Sequence, residues 1–433
     1  MEQRQVSKVT KQFKRTFNEA SVNELGKAIR FCLRERTVTP FRLVMGLVDV
    51  MATSKVKSIA DVHRAFNALC EVDVQYKPFH NQLSKAQFPL LMREMFCRTL
   101  EELACDVLRF DADSPFAKFE HITIQDGTSF AIKPSLKDVW PGRFTTTSPA
   151  AVELHVSYDL GTEMINFATL TPDTDAEAQH LPEAQEVAGG LSLADRGYFK
   201  KEYLRDVDAA QGWFLVRGQK GMNPIVRHAY REDGSEIKAW RDRPLKELKR
   251  KLKRYRSVDM DVEYSIKRKP FCCRLVVHTR PNDSTPRYLV TNLERDQFSV
   301  SHISDAYRLR WQIELLFKEW KSHANLHAFD TSKAHIVEGF IWASLCAAVL
   351  KRYWAHVTQR ISHVAMSTQR VAMCLHHVLY DIVRALLHQP RQLNTVIRRA
   401  IDYLSRNAKR AHPKRDARTG RQKLGLEHVY GGA

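Results

Sequence analysis

The chain has 433 residues, 44% of them hydrophobic and 27% charged, the proportions of a folded protein of two or three domains rather than of a disordered polymer. Its 68 Lys and Arg outweigh 49 Asp and Glu to give a formal net charge of +19, which favours a polyanionic partner, nucleic acid before membrane. The opening MEQRQVSKVTKQFKR has no apolar core to act as a signal peptide. The most apolar run, FIWASLCAAVL (340–350), is too short to span a bilayer and reads as a buried helix. The expected location is therefore the cytoplasm. Eight cysteines, none in a C-x-x-C pair, show neither a zinc spacing nor a disulfide framework, and are expected to be free thiols.

In chain order, residues 1–115 read as helical, with periodic segments at VNELGKAIRFCLRE, FRLVMGLVDVMAT and FPLLMREMFCRTLEELACDVLRF. Between them, SIADVHRAFNALCEVDVQYKPFHNQLSKA (58–86) predicts helix, short polar connection, helix. That pattern serves equally a helix-turn-helix in a DNA major groove and a plain helical hairpin. From residue 116 the period changes to that of strands. FEHITIQDGTSFAI alternates, and LHVSYDL and MINFATLTP follow as a hairpin turning at Gly161. DAEAQHLPEAQEVAG predicts a helix interrupted near Pro182, LSLADRGYF a buried strand ending at Asp195, KKEYLRDVDAAQ a helix and GWFLVRGQ a strand. A mixed sheet covered by helices on both faces accounts for this order.

Residues 221–300 break the rhythm. The charged PLKELKRKLKRYR precedes three strand-like runs, DVEYSIKR, PFCCRLVVHTR and PRYLVTNL, which together read as a mostly β insertion. The alternating part resumes over residues 301–380. Residues 381–433 form a basic end that carries Lys409, Arg410, Lys414, Arg415, Arg418, Arg421 and Lys423 among others. Such an end either touches phosphates or is simply solvated.

The segment YRLRWQIELLFKEWK (307–321) predicts one continuous helix. Leu309, Ile313, Leu316, Phe317 and Trp320 make its core stripe, and Arg308, Gln312 and Glu319 its solvent face. Tyr307, Arg310, Glu314 and Lys321 fall on a second polar stripe, walled off by Trp311 and Leu315. A pair of surface charges explains Arg310 and Glu314 alone. Asp126 in ITIQDGT and Asp195 in LSLADRG, each read as ending a strand, change the balance, because open sheets gather functional residues at strand ends. Three carboxylates brought together repel one another unless they hold hard divalent cations, Mg²⁺ or Mn²⁺. Two such ions serve phosphoryl transfer, with Arg310 and Lys321 meeting the phosphates.

Tyr307, Arg310, Glu314 and Lys321 are separated by two, three and six residues, a spacing that resembles the YREK signature of bacterial insertion-sequence transposases. QDGT around Asp126, ADRGY around Asp195, RYLVTNL and AYRLRWQIELLFKEWK are similar to that family over about residues 119–350. The resemblance implies an RNase H-like core in two parts, 116–220 and 301–380, interrupted by the β insertion, with a DNA-end-binding region at 1–115. It implies that Asp126, Asp195 and Glu314 are catalytic ligands of two Mg²⁺ (or Mn²⁺) ions, and that Tyr307, Arg310 and Lys321 bind DNA. It further implies cut-and-paste transposition through a hairpin, terminal inverted repeats and target DNA as partners, a dimer on DNA, and a bacterial, nucleoid-associated location. No motif assigns an aromatic to a flipped base. Two other classes remain at this point: a non-catalytic DNA-binding descendant, and a structure-selective nuclease on the same core.

Overall fold

A computed structural model of the chain describes residues 2–34, 36–53, 56–279, 285–323, 325–326, 329–412 and 424–429. The first six helices are α1 (Glu2–Thr16), α2 (Glu19–Ala28), α3 (Pro40–Thr53), α4 (Ile59–Cys70), α5 (Tyr76–Leu83) and α6 (Gln87–Leu103). Local signals set their ends. The Asn18 side chain caps α2, and Ser58 and Asp61 form a reciprocal capping box at α4. Contrary to the periodic pattern, α2 stops at Ala28, where Arg30 takes a left-handed φ of 60°. The run ending in VLRF departs from helix too. α6 ends at Leu103 and Leu108–Phe110 becomes strand β1, because its partner is supplied from the far end of the chain.

The central strands follow: β2 (Ile122–Ala131), β3 (Pro141–Phe144), β4 (Ser148–Asp159), β5 (Met164–Pro172) and β6 (Leu191–Ala194), then helix α7 (Lys201–Ala209) and strand β7 (Trp213–Arg217). β4 runs antiparallel to both β2 and β5, while β2, β6 and β7 are mutually parallel, giving the order β5-β4-β2-β6-β7. The helix expected at 175–189 does not form. Only 3-10 turns at Glu177–Gln179 and Ala184–Val187 appear, since Pro182 lacks a donor and biases its predecessor toward extended backbone.

Next come β8 (Ile225–Tyr230), β9 (Arg243–Pro244), α8 (Leu245–Leu252), β10 (Ser257–Ile266), β11 (Lys269–His278) and β12 (Arg287–Thr291). These strands extend the same sheet beyond β7 in the order β12-β11-β10-β8-β9, so eleven strands form one surface. The charged PLKELKRKLKRYR stretch proves amphipathic: Leu245, Leu248 and Leu252 enter the core, while Lys246, Arg250 and Lys251 stay exposed.

The chain closes with α9 (Val300–Arg308), α10 (Trp311–His323), α11 (Ala334–Ser362), α12 (Thr368–Cys374), α13 (His376–His388), α14 (Leu393–Asn407) and strand β13 (Leu426–His428), the partner of β1. α11 has 29 residues, and by length and composition alone could cross a membrane. Most of its apolar stretch is instead buried, packed by α3, α6 and α14. Helices from both ends of the chain thus share one core with α11, running from Val6 to Leu426. Of the basic end, Lys414, Arg415, Arg418, Arg421 and Lys423 lie outside the described residues.

Candidate active site

Strand register builds the site. Gln125 of β2 lies beside Ala194 of β6, and Ala194 beside Val216 of β7. The next residue along each strand is Asp126, Asp195 and Arg217, so these three stand level on neighbouring strands. Asp195 does follow the last residue of its strand, as expected. Asp126 does not end a strand: it is the fifth of ten residues in β2, and faces the same side as Ile124. Its exposure comes from β6 stopping beside it, which removes the neighbour that would cover it.

Tyr307, Arg310 and Glu314 approach from the helical side, but not along one helix. α9 ends at Arg308 and α10 begins at Trp311. Between them the backbone tightens: Leu309, Arg310, Gln312 and Ile313 each donate to the carbonyl three residues back. This break turns Tyr307 to Asp195, with its hydroxyl donating to Oδ1 at 3.0 Å. It turns Arg310 to Asp126, where Nη1 donates to Oδ2 at 2.6 Å. Arg310 also bridges through Nη2 to Glu314 in the first turn of α10, a position where the helix dipole favours a carboxylate. Arg217 reaches within 3.8 Å of Asp195. Five of the six predicted residues therefore gather at one site, Tyr307 on Asp195 and Arg310 between Asp126 and Glu314.

Lys321 does not. It is exposed, seven residues beyond Glu314, and borders a cleft formed with Ala52 and Thr53 of α3. The expected solvent face is also corrected. Glu319 is buried and pairs with Arg352 of α11 at 3.7 Å, because α11 covers that side of α10. Trp311 and Leu315, expected as a wall, are themselves exposed beside Glu314.

The electrostatics differ between the two aspartates. Burial pushes the Asp126 carboxyl up to about 6; Arg310 and the Gly127 N–H oppose this, while Asp195 and Glu314 add to it. Burial works against the Asp195 carboxylate as well, but the Arg196 N–H, Arg310, the Tyr307 hydroxyl and Arg217 hold it below the usual range. Burial and the neighbouring Asp195 push the Tyr307 phenol up, which keeps it a neutral donor. All three carboxylates offer hard oxygen donors, the ligand type suited to Mg²⁺ or Mn²⁺. Arg310 already supplies a positive charge between Asp126 and Glu314, so the trio fits a cation electrostatically. Among the described residues no three such side chains converge tightly enough to hold one ion, with Arg310 standing between them.

Sequence reasoning missed the layer behind the aspartates. A Cβ on Gly127 would lie 2.9 Å from Glu153 Oε1 and 3.1 Å from the Tyr198 hydroxyl, and one on Gly197 would collide with the Glu177 carboxylate. Each glycine next to or near an aspartate thus makes room for a glutamate. Glu153 is buried, 3.3 Å from Arg143, and burial and Glu177 push it up to about 7. His155 packs beside it, within 3.1 Å of the Tyr198 hydroxyl and 3.0 Å of Thr171 Oγ1. The glycine of QDGT was the available signal, since a glycine within a strand often marks close approach; that of ADRG lies in a 3-10 turn.

A family model described as the transposase DDE domain matches residues 117–350. Over 95% of its length the chain is 20% identical to the transposase for insertion sequence element IS231B of Bacillus thuringiensis subsp. berliner, 93% of which is covered. It is 18% identical to the transposase for insertion sequence element IS1151 of Clostridium perfringens, over 79% of each chain. A stretch of 62 residues, 14% of this chain and 17% of the other, is 44% identical to the putative transposase InsL for insertion sequence element IS186A of Escherichia coli (strain K12). Among solved structures, a cryo-EM structure of the piggyBac transposase synaptic complex with hairpin DNA aligns with a TM-score of 0.49 and 11% identity, covering 93% of this chain and 85% of that one.

Proposed function

The chain belongs to the DDE-domain transposase family, and on that premise we propose that it moves an insertion sequence by cutting and rejoining DNA, with Asp126, Asp195 and Glu314 as its catalytic carboxylates. The observation that carries this reading is the level register of Asp126 and Asp195, completed by the Arg310 bridge to Glu314. The order β5-β4-β2-β6-β7, with β4 alone antiparallel to the rest, supports an RNase H-like core at 116–220 and 301–380, interrupted by the strands of 221–300.

DDE transposases in general use divalent metal. Here Asp126, Asp195 and Glu314 would hold two Mg²⁺ ions, or Mn²⁺ in their place, which supply an activated oxygen nucleophile and positive charge at the scissile phosphate. The chain's own groups do the rest. Arg310, which reaches both Asp126 and Glu314, carries a planar fork suited to clamping a phosphate beside them. Tyr307 stays on Asp195 and orients it. Lys321, exposed two turns along α10, contacts the DNA backbone farther from the cut.

In the first step a water oxygen attacks phosphorus and the P–O3′ bond breaks, leaving a 3′-OH at the element's end. That 3′-OH attacks a phosphorus of the opposite strand, breaking its P–O3′ bond so that a hairpin closes and the flanking DNA leaves with a 3′-OH. Water then cleaves the hairpin's P–O3′ bond to restore the element's 3′-OH, which attacks a target phosphorus and displaces a target 3′-oxygen. The partners are then terminal inverted repeats and target duplex, engaged by a dimer, with the α1–α6 region contacting the ends. The basic balance of the chain suits such partners in the bacterial cytoplasm, at the nucleoid.

Glu314→Gln tests the assignment. It keeps size and helix propensity but removes a charge that a divalent ion needs. Cleavage of a duplex carrying the sequences that flank the reading frame should fall by orders of magnitude while binding persists. Near-normal cleavage would sink the assignment.

A further inference from the structure

On the flank of α10 beside Glu314 lies a cavity of about 440 Å³, closed by α11, α12 and the segment around Arg410. Its lining carries four Lys and Arg side chains, Lys318, Arg352, Arg370 and Arg410, against two carboxylates, Glu163 and Glu319. Its floor carries buried nitrogens without a hydrogen bond. His356 is 6% exposed, and neither ring nitrogen makes a hydrogen bond; Glu163 Oε2 stands 3.5 Å from Nε2. Arg352, 8% exposed, is anchored through Nη1 to the Glu163 carbonyl at 2.5 Å, but its Nε–H has no partner. Buried donors without acceptors cost free energy, and natural folds rarely tolerate several around one void unless something else fills it. At the mouth Arg370 is exposed, held through Nη1 to the Lys409 carbonyl at 2.8 Å.

We propose that this cavity is a subsite for a DNA backbone phosphate, seated near the one that the carboxylates address. The inference rests on the transposase reading, which brings DNA to α10. It adds where the strand goes next. Trp311 and Leu315 are exposed beside Glu314, and Leu315 and Lys318 line the near edge of the cavity. A helix is about 10 Å across in all, roughly three rises of 3.4 Å along a DNA strand. A strand crossing α10 therefore meets the cavity within a few nucleotides of the cut. There a phosphate would accept from Arg352 Nε and His356, and would lie between Arg370 and Arg410.

The test is binding of a mixed-sequence duplex to the full chain across a salt series. It compares the wild type, Arg370→Gln/Arg410→Gln and Arg370→Lys/Arg410→Lys. Removing one phosphate contact lowers the slope of log affinity against log salt by about 0.9. The glutamine variant should show that decrease, and the lysine variant, which keeps the charge, should retain the wild-type slope. An unchanged slope in the glutamine variant overturns the proposal. So does an equal decrease in the lysine variant, which would trace the effect to the Arg370–Lys409 bond. Inorganic phosphate serves as a separate probe: heat stabilisation of the wild type by phosphate with no slope change in the glutamine variant makes this a free-anion pocket, and the proposal falls. Each of these failures leaves the transposase reading standing, whereas a wild-type chain that ignores duplex DNA altogether would sink that reading instead.

Discussion

Glu319 shows how far a single residue can stray from its helical wheel. Its place among polar residues predicts water, yet α11 covers it and Arg352 is its partner. Removing one member of a buried pair leaves the other charge uncompensated. Glu319→Gln should therefore destabilise the fold by on the order of 3 kcal/mol, read as a lower denaturant midpoint; a change within a few tenths would mean the pair is solvated after all. Asp49 gives a pH-dependent counterpart. It sits 5% exposed in α3 with Oδ1 unpartnered, and burial pushes its carboxyl up to about 7. A raised carboxyl favours the protonated form in the fold, so its stability is fully present below the unfolded value near 4 and is lost as pH rises through about 7. Asp49→Asn should remove that loss, stabilising the chain at pH 8 by at most about 4 kcal/mol and changing little near pH 4. Denaturant melts at the two pH values check this, and a gain equal at both would refute it.

At the scale of elements, what was legible depended on how local the cause was. The strand containing Asp126, the hairpin at Gly161 and α7 with β7 announce themselves through alternation, turn residues and helical period. The candidate site residues could be singled out because Tyr307, Arg310 and Glu314 have the spacing of the signature they resemble and each aspartate sits in a short glycine-containing motif. The break at Leu309 and Arg310 was not, since neither Pro nor Gly marks it. It coincides with Arg310 reaching Asp126, 184 residues away in sequence. β1 was hidden for the same reason, its partner β13 lying at the other end of the chain. Glu153 and Glu177 were equally hidden, because only the folded sheet brings them over Gly127 and Gly197.

For the whole molecule, charge and core divide the work. One apolar core ties helices from both ends of the chain around α11, while the basic excess is left on exposed segments such as α8. β13 is part of that framework, so removing the C-terminus outright would confuse folding with binding. Replacing Lys414, Arg415, Arg418, Arg421 and Lys423 with Gln separates the two. If these residues track DNA, the salt slope of duplex binding should drop by about 0.9 for each phosphate they neutralise, with thermal stability unchanged; an unaltered slope would mean that this stretch is merely solvated.

The central claim is that Asp126, Asp195 and Glu314 hold divalent metal for DNA cleavage, and Asp195→Cys tests it most directly. A thiolate is a soft ligand that serves Mg²⁺ poorly and Mn²⁺ better. Cleavage of a duplex carrying the sequences that flank the reading frame is measured in each ion, with DNA binding verified in both. The variant should be inactive in Mg²⁺ and recover cleavage in Mn²⁺, while the wild type cuts in either. Equal activity of the variant in both ions, or equal inactivity with binding intact, would contradict the assignment of Asp195 as a metal ligand.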